Sequence, residues 1–258
     1  MQKVILLALL VAATTTATPV NQASPMNFGE ALTNMYTAFQ KMMPCGYPAD
    51  NIPVLDPFRI EQQFFNASTD DYSFVGNITN LYITGLSNFH HVGKSYNEDT
   101  GFSSFDIIFP EIQILGEYDV NGFMNVAGFL LRWTQSGLIN EKFIDLRYVA
   151  SYTIASPVNA TDKLSVTNVN LNFYLSDAAF DNWNVLWDIS TNNFVNKADR
   201  ELLLMLVEQI QPQVNYILDK YALPYINEYL GQMSMDQLIN TLNGMAATFE
   251  EADCNVVA

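Results

Sequence analysis

The sequence predicts an α+β fold: a long, curved antiparallel sheet with one apolar concave face, and a long amphipathic C-terminal helix laid on that face. Three observations carry this. From residue 58 to residue 177 the apolar residues recur at period two in run after run, with no helical pattern between them. After Trp187 the period changes to about 3.6. Strands followed by helix, rather than alternating with it, exclude a doubly wound arrangement. With 49% of 258 residues hydrophobic, the chain can bury one sizeable core, so sheet and helix read as one module.

Residues 1–17 read as a secretory signal, outside the fold. Lys3 precedes an apolar run from Val4 to Val11, and small residues follow with a cleavage position after Ala17. The run is too short to span a bilayer, and no later run reaches the roughly 18 residues that would. The expectation is an exported protein whose single domain is residues 18–258.

The first element is a helix over 27–43, NFGEALTNMYTAFQKMM. It places Phe28, Leu32, Met35, Tyr36 and Phe39 on one side, with Asn27 as N-cap and Glu30 completing a capping box. Pro44 ends it. The next stretch, NIPVLDPFRIEQ at 51–62, is apolar yet extended, because Pro53 and Pro57 fix their own φ and restrict the residues before them. Asp56 adds a turn signal through its carboxylate. Beyond it Phe58 and Ile60 alternate with Arg59 and Glu61, a half-buried strand.

A strand over 74–84 contains Asn77-Ile78-Thr79, a glycosylation triplet. A glycan is too polar for a core, so Asn77 and Thr79 are expected outward, with Ile78 and Tyr82 inward toward Leu206 and Ile210. In residues 105–132 two extended runs flank Asn121-Gly122, a type I′ hairpin signal. Ile112 and Ile114 alternate with polar residues before it, and Met124 and Val126 share a face after it. Gly116 and Gly128 fall within strands, where glycine marks a bulge or bend. KFIDLRYVASYTIAS, residues 142–156, puts Ile144, Leu146, Tyr148, Ala150, Tyr152 and Ile154 on one face. Residues 166–177 do the same with Val169, Leu171, Phe173 and Leu175.

From Ala198 to Tyr221, Leu203, Leu206, Val207, Ile210, Val214, Ile217, Leu218 and Tyr221 trace one helical stripe. Asp199 and Glu201 are expected near the positive N-terminal end, and Pro212 is expected to kink the helix. A second helical pattern follows Pro224, through Ile226, Tyr229, Leu230, Met233, Leu238 and Leu242.

Chemistry is excluded more readily than it is found. A formal charge of −16 repels nucleic acid and anionic lipid. The only histidines, His90 and His91, are neighbours on a strand and point to opposite faces, which leaves no two-histidine metal site and suggests a solvated strand end. No GxSxG, HExxH, P-loop or GxGxxG occurs, and acidic pairs such as Asp70 with Asp71 read as solvated loop charge. Neither enzyme activity, metal nor cofactor is expected. Export gives meaning to three glycosylation triplets, at Asn66, Asn77 and Asn159. It also favours a Cys45–Cys254 disulfide, closing a loop of about 210 residues, over two buried thiols.

The segment IPVLDPF after a short helix, the glycine-centred YDVNGFMNVAG at 118–128, the strand NLNFYLSD and the closing ELLLMLVEQIQPQVNYILDKYALPYI resemble the takeout and juvenile-hormone-binding family of insects over residues 27–245. That resemblance implies a tubular lipid-binding architecture of the TULIP superfamily, a curved sheet wrapped about a long helix with a hydrophobic ligand inside. One departure is clear: the family's paired cysteines lie close together before the IPxLDP motif, whereas here only Cys45 does. With the resemblance in hand, Val54, Leu55, Phe58 and Ile60 become candidates to line or seal one end of the tube, or plain core edge. Inward candidates chosen by parity are Tyr82, Ile114, Met124, Tyr148, Tyr152, Phe173, Leu206 and Ile210. The reading is a secreted carrier of a terpenoid or fatty-acid-like ligand, with an extracellular interaction protein whose tube is filled by side chains as the alternative.

Overall fold

The computed structural model describes residues 27–68, 72–126, 129–155, 164–182, 189–252 and 254. The proposed leader, Asn159 and Gly128 lie outside them. Helix α1 (Phe28–Met42) opens on the expected capping box: Asn27 Oδ1 accepts from the Glu30 N–H at 2.9 Å while the Glu30 carboxylate accepts from the Asn27 N–H. Six strands follow, β1 (Phe58–Ser68), β2 (Tyr72–Thr84), β3 (His90–Tyr96), β4 (Phe102–Val126), β5 (Phe129–Ala155) and β6 (Ser165–Phe180). They form one antiparallel sheet in the order β1-β2-β4-β5-β6, with β3 pairing an end of β4, and the described strands do not close into a barrel.

The C-terminal part is helical: α2 (Ile189–Gln209), α3 (Gln211–Ile217), a π-helical turn over Leu218–Ala222, α4 (Leu223–Leu230) and α5 (Met235–Glu250). The break at Ile210 falls just before Pro212, as the missing N–H of proline requires. Asp199 and Glu201 lie well inside α2, not at its start, because the helix begins at Ile189 in the polar stretch ISTNNFV, which carries little apolar period. Among the described residues no helix is long and apolar enough to cross a membrane.

The helices cover the free edge of β6 with side-chain amides. Asn215 accepts from the Leu171 N–H at 2.7 Å and donates to its C=O at 2.8 Å. Asn227 does the same at Val166, at 2.6 and 2.9 Å, and Gln211 Nε2 donates to the Phe173 C=O at 2.9 Å. The sheet edge thus finds its hydrogen bonds without another strand.

Two irregularities decide which way side chains face. No hairpin forms at Asn121-Gly122: β4 runs through both, opposite Thr134 and Trp133. The glycine serves close approach instead, since a Cβ there would meet the Ser73 carbonyl oxygen at 2.1 Å. Along β4 and β5 the buried positions change parity, from Ile107 to Ile112, across a line where Pro110 and Asp145 are unpaired and Asp145 takes φ 51°. The surface ion pairs change with them, from Asp106–Arg147 to Glu111–Lys142. The alternation is reset there, and the apolar face stays on one side of a strand of 25 residues.

Packing joins the ends of the chain. Ala38 and Met42 of α1 bury against Met245, Ala246 and Phe249 of α5, and Cys45 is disulfide-bonded to Cys254 beside them. Phe28, Ala31, Ile154, Leu164, Val166, Leu230 and Leu242 form the core between α1, the sheet end and α4–α5. The LDP segment is a clasp. Leu55 packs against the buried cluster of Met43, Phe89 and Ile107, its N–H donating to the Met43 C=O. The Asp56 carboxylate accepts from the Gly85 and Ser87 N–H groups at 3.0 and 2.7 Å and from the Ser87 hydroxyl at 2.5 Å.

Candidate ligand-binding site

The apolar face beneath α1 is aromatic. Phe105, Ile107 and Phe109 of β4 face Ala150, Tyr148 and Leu146 of β5, and Tyr148 faces Phe173 of β6. The rings pack in sequence: Tyr36 to Phe105 at 6.2 Å, Phe105 to Tyr152 at 6.4 Å, Phe109 to Tyr148 at 5.6 Å and Tyr148 to Phe173 at 4.8 Å between centroids. Tilted and edge-on contacts at these distances match the ring quadrupoles. Burial raises the pKa of the Tyr36, Tyr148 and Tyr152 phenols, so all three stay protonated and able to donate. At one end of this surface, between α1 and β3–β4, opens a cleft of about 660 Å³ whose walls include Leu32, Tyr36, His91 and Phe105. That volume is in the range of small-molecule sites.

Three of the parity-chosen residues, Tyr148, Tyr152 and Phe173, come together on this surface. Phe58 and Ile114 lie farther along the sheet, in a row that runs Phe58, Ile83, Ile114, Glu141, Phe180 across β1, β2, β4, β5 and β6. Burial raises the Glu141 pKa, and Asn182 Nδ2 donates to its carboxylate at 2.7 Å. Tyr82 lies on the other face. A bulge at Asn80–Leu81, with Asn80 at φ 51°, inserts one residue opposite Gly116 and carries Tyr82 to the side of Asn77 and Thr79, where the Arg59 guanidinium sits 5.2 Å from its ring. Ile78 keeps the face expected of it, opposite Tyr118. Met124 stands opposite Leu131 and Tyr72 near the far end of β4, and its side chain lies outside the described residues. Leu206 and Ile210 are 40% and 44% exposed, while Arg200, Gln211 and Asn215 reach β6 at Asp177, Phe173 and Leu171.

Sequence reasoning missed Tyr36, His91, Phe105 and Phe109 as site residues. Phe105, Ile107 and Phe109 alternate visibly in FDIIF, and Tyr36 was already on the apolar stripe of α1, so the signals existed. His91 did not sit on a solvated strand end. It turns inward, and only His90 is exposed. Among the described residues no group of three or more metal-ligating side chains is brought together.

A long antiparallel sheet with helices at its C-terminal end, one aromatic face and an adjoining cleft defines the architectural class. The chain belongs to the haemolymph juvenile hormone binding protein family, whose family model matches residues 4–240. Among solved structures it is similar to Takeout 1 of Epiphyas postvittana, with 15% identity, a TM-score of 0.40, and coverage of 83% of this chain and 90% of that one. It is also similar to lipopolysaccharide binding protein, with 12% identity, a TM-score of 0.32, and coverage of 76% of this chain and 39% of that one. No curated protein matches the sequence.

Proposed function

We propose that this protein is a secreted carrier, residues 18–258 of which hold a small hydrophobic ligand of terpenoid or fatty-acid-like chemistry. The observation that carries the reading is the run of packed rings from Tyr36 and Phe105 to Tyr152, with Phe109, Tyr148 and Phe173 beside it, next to a cleft of about 660 Å³. Burying an alkyl or isoprenoid chain against such a wall gains about 0.8 kcal/mol per CH₂ and needs no cofactor. The family description names a haemolymph hormone binder, which supports both export and a lipid-like ligand. The Cys45–Cys254 disulfide supports an oxidising compartment. Asn66 is exposed, which suits glycosylation there; Asn77 is half-buried with its carbonyl oxygen covered, so a glycan at Asn77 requires local rearrangement. The acidic charge argues against nucleic acid and stable membrane partners.

The second reading is an extracellular interaction protein with no ligand, and the 4.8 Å packing of Tyr148 on Phe173 favours it, because those side chains already fill one another's space. Native mass spectrometry of protein purified from its own secretion separates the two. The carrier reading expects an apolar molecule released on denaturation and retaken from a panel of fatty acids, fatty alcohols and terpenoids. Protein that is empty and takes up no compound refutes it.

A further inference from the structure

The wall of the cleft between α1 and β3 includes His91, a polar side chain that no described residue satisfies. Both ring nitrogens of His91 are buried and have no hydrogen-bond partner among the described residues. The ring is held in place, 6.0 Å from Tyr36 and 5.8 Å from Phe89. Gln40 of α1 fixes the turn leading into β3, donating to the carbonyls of Ser87 and Phe89 at 2.7 Å each. A bulge after His91 leaves Val92 without a partner on β4, and pairing resumes at Gly93. A histidine whose two nitrogens are buried without partners loses their hydration without compensation, which costs folding free energy. We propose that the cleft receives the hydroxyl-bearing end of an apolar ligand, with His91 as its hydrogen-bond partner.

This assignment rests on the carrier reading and specifies which end of the ligand is recognised. Burial and the charge of Lys94 lower the His91 pKa, which keeps the imidazole neutral, with one N–H donor and one lone pair. A hydroxyl matches it, being donor and acceptor at once. A carboxylate only accepts, so it would leave the imidazole lone pair without a donor. Lys94 also lines the cleft, where its Nζ donates to Thr33 Oγ1 at 3.3 Å, and like Glu30 it is exposed, so solvent screens both charges and the neutral His91 sets the polar contact. The aromatic surface beginning at Phe105 takes the apolar remainder.

The chain has two histidines, one exposed and one in the cleft, so the wild-type protein reports on itself. In ¹⁵N-histidine-labelled protein, 1-dodecanol is expected to shift the His91 imidazole nitrogens saturably and leave His90 unmoved, while dodecane shifts neither. His91→Phe keeps the ring contacts with Tyr36 and Phe89 and removes both nitrogens. It is expected to change the dodecanol-to-dodecane ratio of dissociation constants by about tenfold, the value of one buried hydrogen bond. Saturation with dodecanol without a His91 shift overturns the assignment, as does a ratio unchanged by His91→Phe. A His91 shift and ratio change confined to dodecanoate overturns the hydroxyl in favour of an acid. Failure of every probe to bind either protein refutes the carrier reading itself.

Discussion

The amide clamp on β6 can be tested quantitatively. Asn227 accepts from the Val166 N–H at 2.6 Å and donates to the Val166 C=O at 2.9 Å, and Val166 is buried. Asn227→Leu keeps the side-chain volume and removes both bonds. At about 1 kcal/mol net per hydrogen bond the loss is about 2 kcal/mol. Since the strand N–H and C=O are then left buried without partners, desolvation raises the expected value to about 3 kcal/mol. Asn215→Leu removes the matching pair at Leu171, which is less buried, and about 2 kcal/mol is expected. The two asparagines are 12 positions apart in a helical run, about 18 Å, so their effects should add. A combined loss of about 5 kcal/mol reaches the lower range of whole-domain stability. Urea unfolding at unchanged m-value measures each single variant, and amide exchange at Val166 and Leu171 should accelerate in the corresponding one. A loss below about 0.5 kcal/mol for Asn227→Leu, with Val166 still protected, would refute the idea that side-chain amides close this sheet edge.

Asp56→Ala should cost about 3 kcal/mol in the same assay, because it removes three hydrogen bonds to a carboxylate that ties the LDP segment to the turn before β3; the clasp is wrong if Asp56→Ala unfolds like the wild type. Reducing the Cys45–Cys254 disulfide should lower stability by up to about 5 kcal/mol in the chain-entropy picture, read as a drop in denaturation midpoint that Cys45→Ser with Cys254→Ser reproduces. Glu141 has a folded pKa raised by burial and by Asp199, so its contribution is intact below the ordinary carboxylate pKa of about 4.3 and is lost as pH climbs through the folded value. Glu141→Gln should therefore flatten the stability profile above that pH and make the protein more stable at pH 7, by less than Asn227→Leu costs; a less stable variant at pH 7 contradicts the sign.

The local signals in the sequence were those that depend on a few neighbouring residues. The capping box of Asn27 and Glu30, the turn at Asp56, the helix break before Pro212 and the period-two face of Tyr148 and Tyr152 each follow from backbone restriction or from side-chain alternation within one element. The order of strands before helix was likewise legible, because the two periods are different. Tertiary structure decided everything that depends on counting across elements. One extra residue at Asn80–Leu81 moved Tyr82 to the opposite face, and the reset at Pro110 and Asp145 changed the parity of β4 and β5 together. Asn121-Gly122 looked like a turn because glycine permits one, whereas the sheet used the same glycine for close passage of β2. The stripe containing Leu206 and Ile210 left both partly exposed because asparagine and glutamine on the adjacent side of the helix satisfied the β6 backbone. His91 was unreadable for the same reason: its burial depends on α1, which lies some 50 residues earlier in the chain, as a rough count, and is brought over it only when long-range packing folds the sheet end beneath that helix.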